Sequence, residues 1–373
     1  MSRLLVTLCY LCICWTVVSS QASYLNRPDL LNQVEECLNH TYNFSFKEAR
    51  KVQLDLSEIT PEHPAPLFLE ALIVYWENFP LTPEKEPADS FVMLMDQVVE
   101  QSELLMEDEG AQLEGIFFDL FGRALKAMYW ADNGKSGKVI PDLGTMYRNT
   151  KEGFALKDQF VEFYFSTGLY NYYIEAYPEA HPGYKPLVAF MKEGDKTLGL
   201  QQLGYAIDHA IYLRVESIFF MSLLQLNYED DLEGASVYAR QLHREFPNNL
   251  YYQGHLVTIL LHLHQFEEVE EILEAMKHQE DSYSEMIKRL ALAFMSEKMH
   301  NHPLVAQNEY GEVVKLADLI GPFADVFKAM AYMGLSRLNE QKELHSESKR
   351  YARKAGNHTA YKFILNEKAG DPR

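Results

Sequence analysis

Residues 214–250 read RVESIFFMSLLQLNYEDDLEGASVYARQLHREFPNNL, and residues 251–277 continue YYQGHLVTILLHLHQFEEVEEILEAMK. Each stretch is one helix–turn–helix unit. In the first, Ala235 stands where the second helix approaches the first, and Pro247-Asn248-Asn249 ends the unit. In the second, Val269 takes the close-approach position and His264-Gln265-Phe266 makes the turn. A unit of about 34 residues that recurs is the signature of a solenoid. One such unit cannot bury its apolar face alone, so stacking against neighbours stabilises it.

Working outward, the periodicity predicts further helices over 284–296, 304–320, 323–338 and 342–355, with Ala329, Ala331 and Gly334 as small residues for close packing. Upstream, the proline-rich lead from Pro61 to Pro66 opens a helix at Leu67–Trp76, since a first-turn amide has no helical partner to lose. Helices follow over Phe91–Met106 and Leu113–Trp130, the latter stopped by Asp132-Asn133-Gly134. The segment 160–177 is dense in aromatic residues. Pro178, Pro182, Gly183 and Pro186 then interrupt it before a short helix through Phe190 and a longer one from Lys196 to Tyr212. Gly134, Gly137, Pro141 and Gly144 cluster in 133–151, which reads as a long turn. The expected organisation is a leader over 1–20, an N-terminal helical region over 21–135, a middle aromatic-rich region over 136–210 and the repeat array over 211–370. The expected fold is all-α, a superhelix of about eight to ten antiparallel helix pairs.

The small residue in the second helix and the Phe246-Pro247-Asn248-Asn249 ending resemble a tetratricopeptide repeat, with Phe219, Leu223 and Leu226 at the positions of the first-helix motif. The segment from Gly168-Leu169-Tyr170 through Gly194-Asp195 to Leu203 is similar to the central region of Iml2/TTC39-type repeat proteins. The resemblance implies a scaffold or adaptor that binds a protein or peptide partner on its concave face, and it implies no catalytic residue. An exported chain of this kind resembles repeat proteins of Bacteroidota.

Export itself is read from the start of the chain. Arg3 precedes an apolar run from Leu4 to Val18, and Val18-Ser19-Ser20 places small residues before Gln21. That order predicts a signal peptide cleaved after Ser20, or alternatively after Ala22. The run is shorter than the roughly 20 residues of a membrane span. Cys9, Cys12 and Cys14 lie in this leader, each preceded by a large apolar residue rather than the small one that lipid attachment needs. Cys37 is then a free thiol or half of an intermolecular bridge. Both readings suit a periplasmic, cell-envelope or secreted protein. The glycosylation sequons at Asn39, Asn43 and Asn357 keep a eukaryotic secretory route open.

The formal net charge is −20 at pH 7, and loss of Arg3 with the leader makes it one unit more negative. Such acidity argues against nucleic acid and against an anionic membrane surface. Motifs for chemistry are weak. His262 and His264 point to different helix faces, and His255 and His262 share a face but lack a third ligand at suitable spacing. His300-Asn301-His302-Pro303 reads as a helix-breaking turn, and Gly134-Lys135-Ser136-Gly137-Lys138 lacks both the spacing and the preceding strand of a phosphate loop. Acidic runs over 103–109 and 267–274 are solvated helix faces without calcium-loop geometry. No catalytic residue, cofactor or metal is expected.

One feature points to a partner. Phe163, Tyr170 and Tyr177 recur every seven residues with Tyr173 beside them, and Lys185 and Arg214 follow nearby. Core packing explains such a stripe, but tyrosine also suits surfaces with one apolar and one wet edge. As a grip on a peptide, or alternatively on a glycan in an envelope accessory protein, the stripe would weaken when Tyr170 and Tyr173 become Phe.

Overall fold

A computed structural model describes residues 23–367 apart from 26, 109, 181, 182 and 184; the leader and its cleavage positions lie outside the described residues. The helices are α1 (Pro28–Tyr42), α2 (Phe46–Ile59), α3 (Pro64–Glu77), α4 (Pro87–Leu105), α5 (Gln112–Asp132), α6 (Ile140–Leu156), α7 (Phe163–Ala180), α8 (Lys185–Val188), α9 (Lys196–His209), α10 (Arg214–Asn227), α11 (Leu232–Glu245), α12 (Leu250–His262), α13 (Phe266–Ala275), α14 (Ser282–Lys298), α15 (Pro303–Ile320), α16 (Asp325–Gln341), α17 (His345–Gly356) and α18 (Lys362–Leu365). No strand occurs among the described residues. Eight pairs adjoin in order, α1–α2, α3–α4, α5–α6, α7–α9, α10–α11, α12–α13, α14–α15 and α16–α17, and each pair packs on the next. The molecule is an all-α superhelix of helix pairs.

The two helices of a pair differ in composition, and the difference sets their places. α12 (LYYQGHLVTILLH) is apolar nearly all round and buries 252–262 without a break. α13 (FEEVEEILEA) buries only Val269 and Ile272. A helix apolar on every face must be covered on every face, whereas a one-sided helix belongs outside. The same contrast separates α10 from α11 and α16 from α17. First helices therefore form the inner layer and second helices the outer one.

Local chemistry starts and turns these helices. Asp195, Asp231, Asn249 and Asp281 accept backbone N–H groups of the first turns of α9, α11, α12 and α14, satisfying donors that have no helical acceptor. Within five pairs the chain reverses through a non-glycine residue in the left-handed region: Phe44, Asp230, His264, Asn301 and Glu343. Gly134 does the same between α5 and α6. The interval from Asp230 to His264 is 34 residues, so a backbone conformation repeats with the length of the unit.

This corrects the reading of 133–151 as a long turn. Only its start is a turn; α6 runs from 140 to 156. Pro141 lies in the first turn, where no amide is missed, and Gly144 has open space around it. Proline and glycine break helices by position, not by number. The two helices α1 and α2 also precede the first helix singled out from sequence.

Glycine sets the inter-helix distance at several crossings, α7–α9 and α15–α16 among them. At α7–α9, a Cβ on Gly199 would stand 2.7 Å from the Gly168 carbonyl oxygen, so the two backbones touch. At α15–α16, Gly334 faces the Tyr310 ring, which a Cβ would overlap.

The superhelix closes on itself, which pure nearest-neighbour stacking does not do. Asn249 Nδ2 donates to the Tyr42 carbonyl at 2.9 Å. Phe79, just after α3, packs against Tyr251, Tyr283 and Phe323 at ring-centre distances of 5.4, 5.0 and 5.3 Å. At the far end, buried Arg337 donates to Glu297 and Glu367 at 2.8 and 2.9 Å, tying the segment after α18 to α14 and α16.

Candidate functional site

Closure leaves a central cleft with two lobes. The larger, about 480 Å³, is bounded by the end of α5, by α10, α12, α14 and α16, and by the segment around α18. The smaller, about 200 Å³, is bounded by α3, α4, α5, α7, α10 and α12. Asp132, Tyr251 and Phe323 line both, so the lobes meet at these residues. The walls come almost entirely from first helices of pairs, as their inward position requires.

The smaller lobe is aromatic and aliphatic: Tyr75 and Trp76 from α3, Phe121 from α5, Phe165 from α7, Phe219 and Phe220 from α10. Two carboxylates interrupt it. Glu216 accepts the Tyr42 hydroxyl through Oε1, while its Oε2 is buried without a hydrogen-bond partner. Burial pushes the Glu216 carboxyl up to about 7, and the same cause pushes Asp132 up to about 7. The phenols of Tyr75, Tyr251 and Tyr361 stand in the field of Asp132.

The larger lobe is more polar. His255 Nε2 lies 2.8 Å from Ser222 Oγ, and that hydroxyl donates to the Ala235 carbonyl at 2.9 Å. With its single proton so used, Ser222 must accept from His255, which fixes the Nε2–H tautomer. Burial lowers the His255 pKa to about 4, so the ring is neutral at pH 7. His358 Nδ1 sits 2.8 Å from Asp325, pairing that carboxylate. Asn227 Oδ1 is buried and unpartnered. No lysine or arginine is among the residues lining either lobe.

The residues expected to bind a partner do not converge on this cleft. Phe163 is fully buried against Phe117 and Phe160 and is a core residue. Tyr170 is half-buried; its hydroxyl donates to the Lys192 carbonyl at 2.7 Å and its ring stacks on Tyr147. Tyr173 packs edge-on against Tyr172 and Tyr228. Tyr177 is half-buried on the same helix, and Lys185 is exposed on α8. Arg214 holds Glu245 through two bonds of 2.7 and 2.9 Å. α7 reaches the cleft instead through Phe165 and Leu169.

The cleft residues escaped sequence reasoning, although a signal was present. Aromatic doublets recur on first helices at Tyr75-Trp76, Phe117-Phe118, Tyr172-Tyr173, Phe219-Phe220 and Tyr251-Tyr252. Three of these five line the smaller lobe.

Other candidates resolve into structure. Cys37 is a buried free thiol that donates to the Ala49 carbonyl at 3.4 Å, and burial raises its pKa to about 12, which removes it from intermolecular bridging. His262 Nδ1 donates to the Thr258 carbonyl at 2.8 Å, and its Nε2 faces Glu367. Lys138 Nζ lies 3.6 Å from the Trp130 ring centre, in a turn joining two helices. No group of three or more His, Cys, Asp or Glu side chains is arranged to hold a metal ion, and no helix is long and apolar enough to cross a membrane, among the described residues.

No family model matches the chain, and no curated protein matches it.

Proposed function

We propose that the chain is an exported, non-enzymatic scaffold of the tetratricopeptide-like kind, and that it captures a protein or peptide partner on its concave side. The observation that carries this reading is the central cleft: an opening bounded by successive first helices, with aromatic walls and unpaired polar atoms on rigid elements. Binding sites are concave, mainly apolar and supplied with a few oriented polar groups. At about 480 Å³ the larger lobe falls within the roughly 300–1,000 Å³ of such sites. Export rests on the leader expected at residues 1–20, and the location proposed with it is the periplasm or cell envelope, with secretion as the alternative.

The cleft is favoured over the α7 tyrosines because the Tyr170 hydroxyl already serves an internal carbonyl. Glycan capture is the second reading, favoured by Trp76 and Tyr251 rings beside carboxylates in one lobe.

The test is capture from envelope extract by the leader-free protein and by Val326→Trp, which places an indole in the larger lobe. The partner is expected with the first and lost with the second at unchanged helicity. Equal recovery by both would remove the cleft from consideration. A thermal shift with oligosaccharides, and none with peptides, would favour glycan capture.

A further inference from the structure

We propose that the cleft takes the basic side chain of a peptide, a lysine or arginine, into the smaller lobe, past Asp132 at its junction with the larger lobe and with its cationic head against Glu216. The inference rests on the peptide-capture reading and names what that site recognises.

Size limits the occupant first. The smaller lobe, at about 200 Å³, is below the roughly 300 Å³ at which pockets take a drug-sized ligand, so one side chain, or a molecule no larger than one, fits it. The larger lobe opens from it at Asp132 and leaves room for the backbone that carries that side chain.

Charge decides the kind of side chain. Asp132, Glu216 and Asp325 line the cleft, and His358 Nδ1 lies 2.8 Å from Asp325, while no lysine or arginine among the described lining residues faces Asp132 or Glu216. Glu216 Oε2 is buried with no donor at all. A buried carboxylate oxygen without a donor is costly to keep, and an ammonium or guanidinium group satisfies it with a charge-assisted bond. His255, neutral by burial, supplies no competing charge.

The walls suit the same occupant. Lysine and arginine lay their methylene stems on apolar surface while their heads seek polar groups. Trp76, Tyr75 and Tyr251 line the lobe, and aromatic rings attract a cation, most strongly once water is excluded. In the larger lobe, Asn227 Oδ1 is an unfilled acceptor for a peptide N–H.

The experiment uses the leader-free protein and short capped peptides of alanine with a central lysine, arginine, norleucine or glutamate. Binding is followed by calorimetry. Lysine and arginine peptides are expected to bind at least about tenfold more tightly than norleucine, which has the same stem without the charge, and glutamate peptides are expected not to bind. Asp132→Asn and Glu216→Gln should each weaken the lysine peptide about tenfold and so narrow its advantage over the norleucine peptide. Equal affinity for lysine and norleucine peptides would overturn the proposal, and this comparison needs no variant to fold. Butylammonium binding as tightly as the lysine peptide would also overturn it, in favour of a small-amine site. Extract capture that survives both carboxylate variants but fails in Val326→Trp would leave the concave-side reading standing while the cationic anchor falls.

Discussion

Tyr170 and Tyr173 on α7 differ from Tyr251 and Tyr252 on α12 in what closes over them, not in chemistry. Tyr170 sits on the flank where α6 and the segment after α8 pack and spends its hydroxyl on the Lys192 carbonyl, while Tyr173 packs edge-on against Tyr172 and Tyr228. The α12 residues sit where the superhelix meets itself, so Tyr251 faces Phe79 and Phe323 from distant parts of the chain and lines both lobes. An aromatic on a first helix becomes cement or cleft wall according to the curvature of the whole array. Sequence spacing alone carries no information about that curvature.

The largest expected effect breaks the closed side only. Phe79→Ala removes a ring held by Tyr251, Tyr283 and Phe323 and should cost about 3 kcal/mol. Its melting temperature should fall, and hydrogen exchange should quicken around α12 and α14 while α6, α7 and α9 keep their protection. Uniform loss of protection across both flanks would mean that the two sides do not behave separately.

The next effect is set by pH. Folding raises the Asp132 and Glu216 carboxyls to about 7, so the folded state retains protons that the unfolded chain sheds above about pH 4. Stability should therefore fall as pH rises from about 4 to 7 and level off above. Asp132→Asn removes one of these groups and should be more stable than the parent at pH 8 by on the order of 2 kcal/mol, discounted for cleft water, and equal to it near pH 4. Chemical denaturation at the two pH values measures the difference. No gain at pH 8 would show that Asp132 is well solvated. The phenols of Tyr75, Tyr251 and Tyr361 around Asp132 do not titrate in this range.

The smallest effect belongs to the α7 flank. Tyr170→Phe forfeits one hydrogen bond and should cost about 1 kcal/mol, with cleft binding unaltered. Lost partner capture in the Tyr170→Phe, Tyr173→Phe double variant, with the fold intact, would move the site from the cleft to the α7 tyrosines.

How much of this was legible follows from the same contrast. The pairing of an all-apolar helix with a one-sided one is written locally, as LYYQGHLVTILLH against FEEVEEILEA shows, so helices from 196 onward were predicted within a few residues. α6 was hidden because Gly137, Pro141 and Gly144 look like breakers until Gly137 is placed ahead of the helix, Pro141 in its first turn and Gly144 at a position with open space. Asp132 looked like part of a helix stop, and its place between two lobes depends on residues more than a hundred positions away. Glu216 stood out in principle as an acid among the apolar residues of α10, yet its neighbour Tyr42 is 174 residues distant. Local chemistry names helices; a cleft made by closure has no local name.

The seclusion of Cys37 has a practical consequence. Among the described residues this is the one cysteine, and it is enclosed by α1 and α2 as an un-ionised thiol. The architecture then draws on no cross-link and should assemble alike under oxidising and reducing conditions. A cysteine placed on either rim of the cleft would be the sole thiol that a label reaches among the described residues. Two such rim labels would report the width of the opening as an occupant enters.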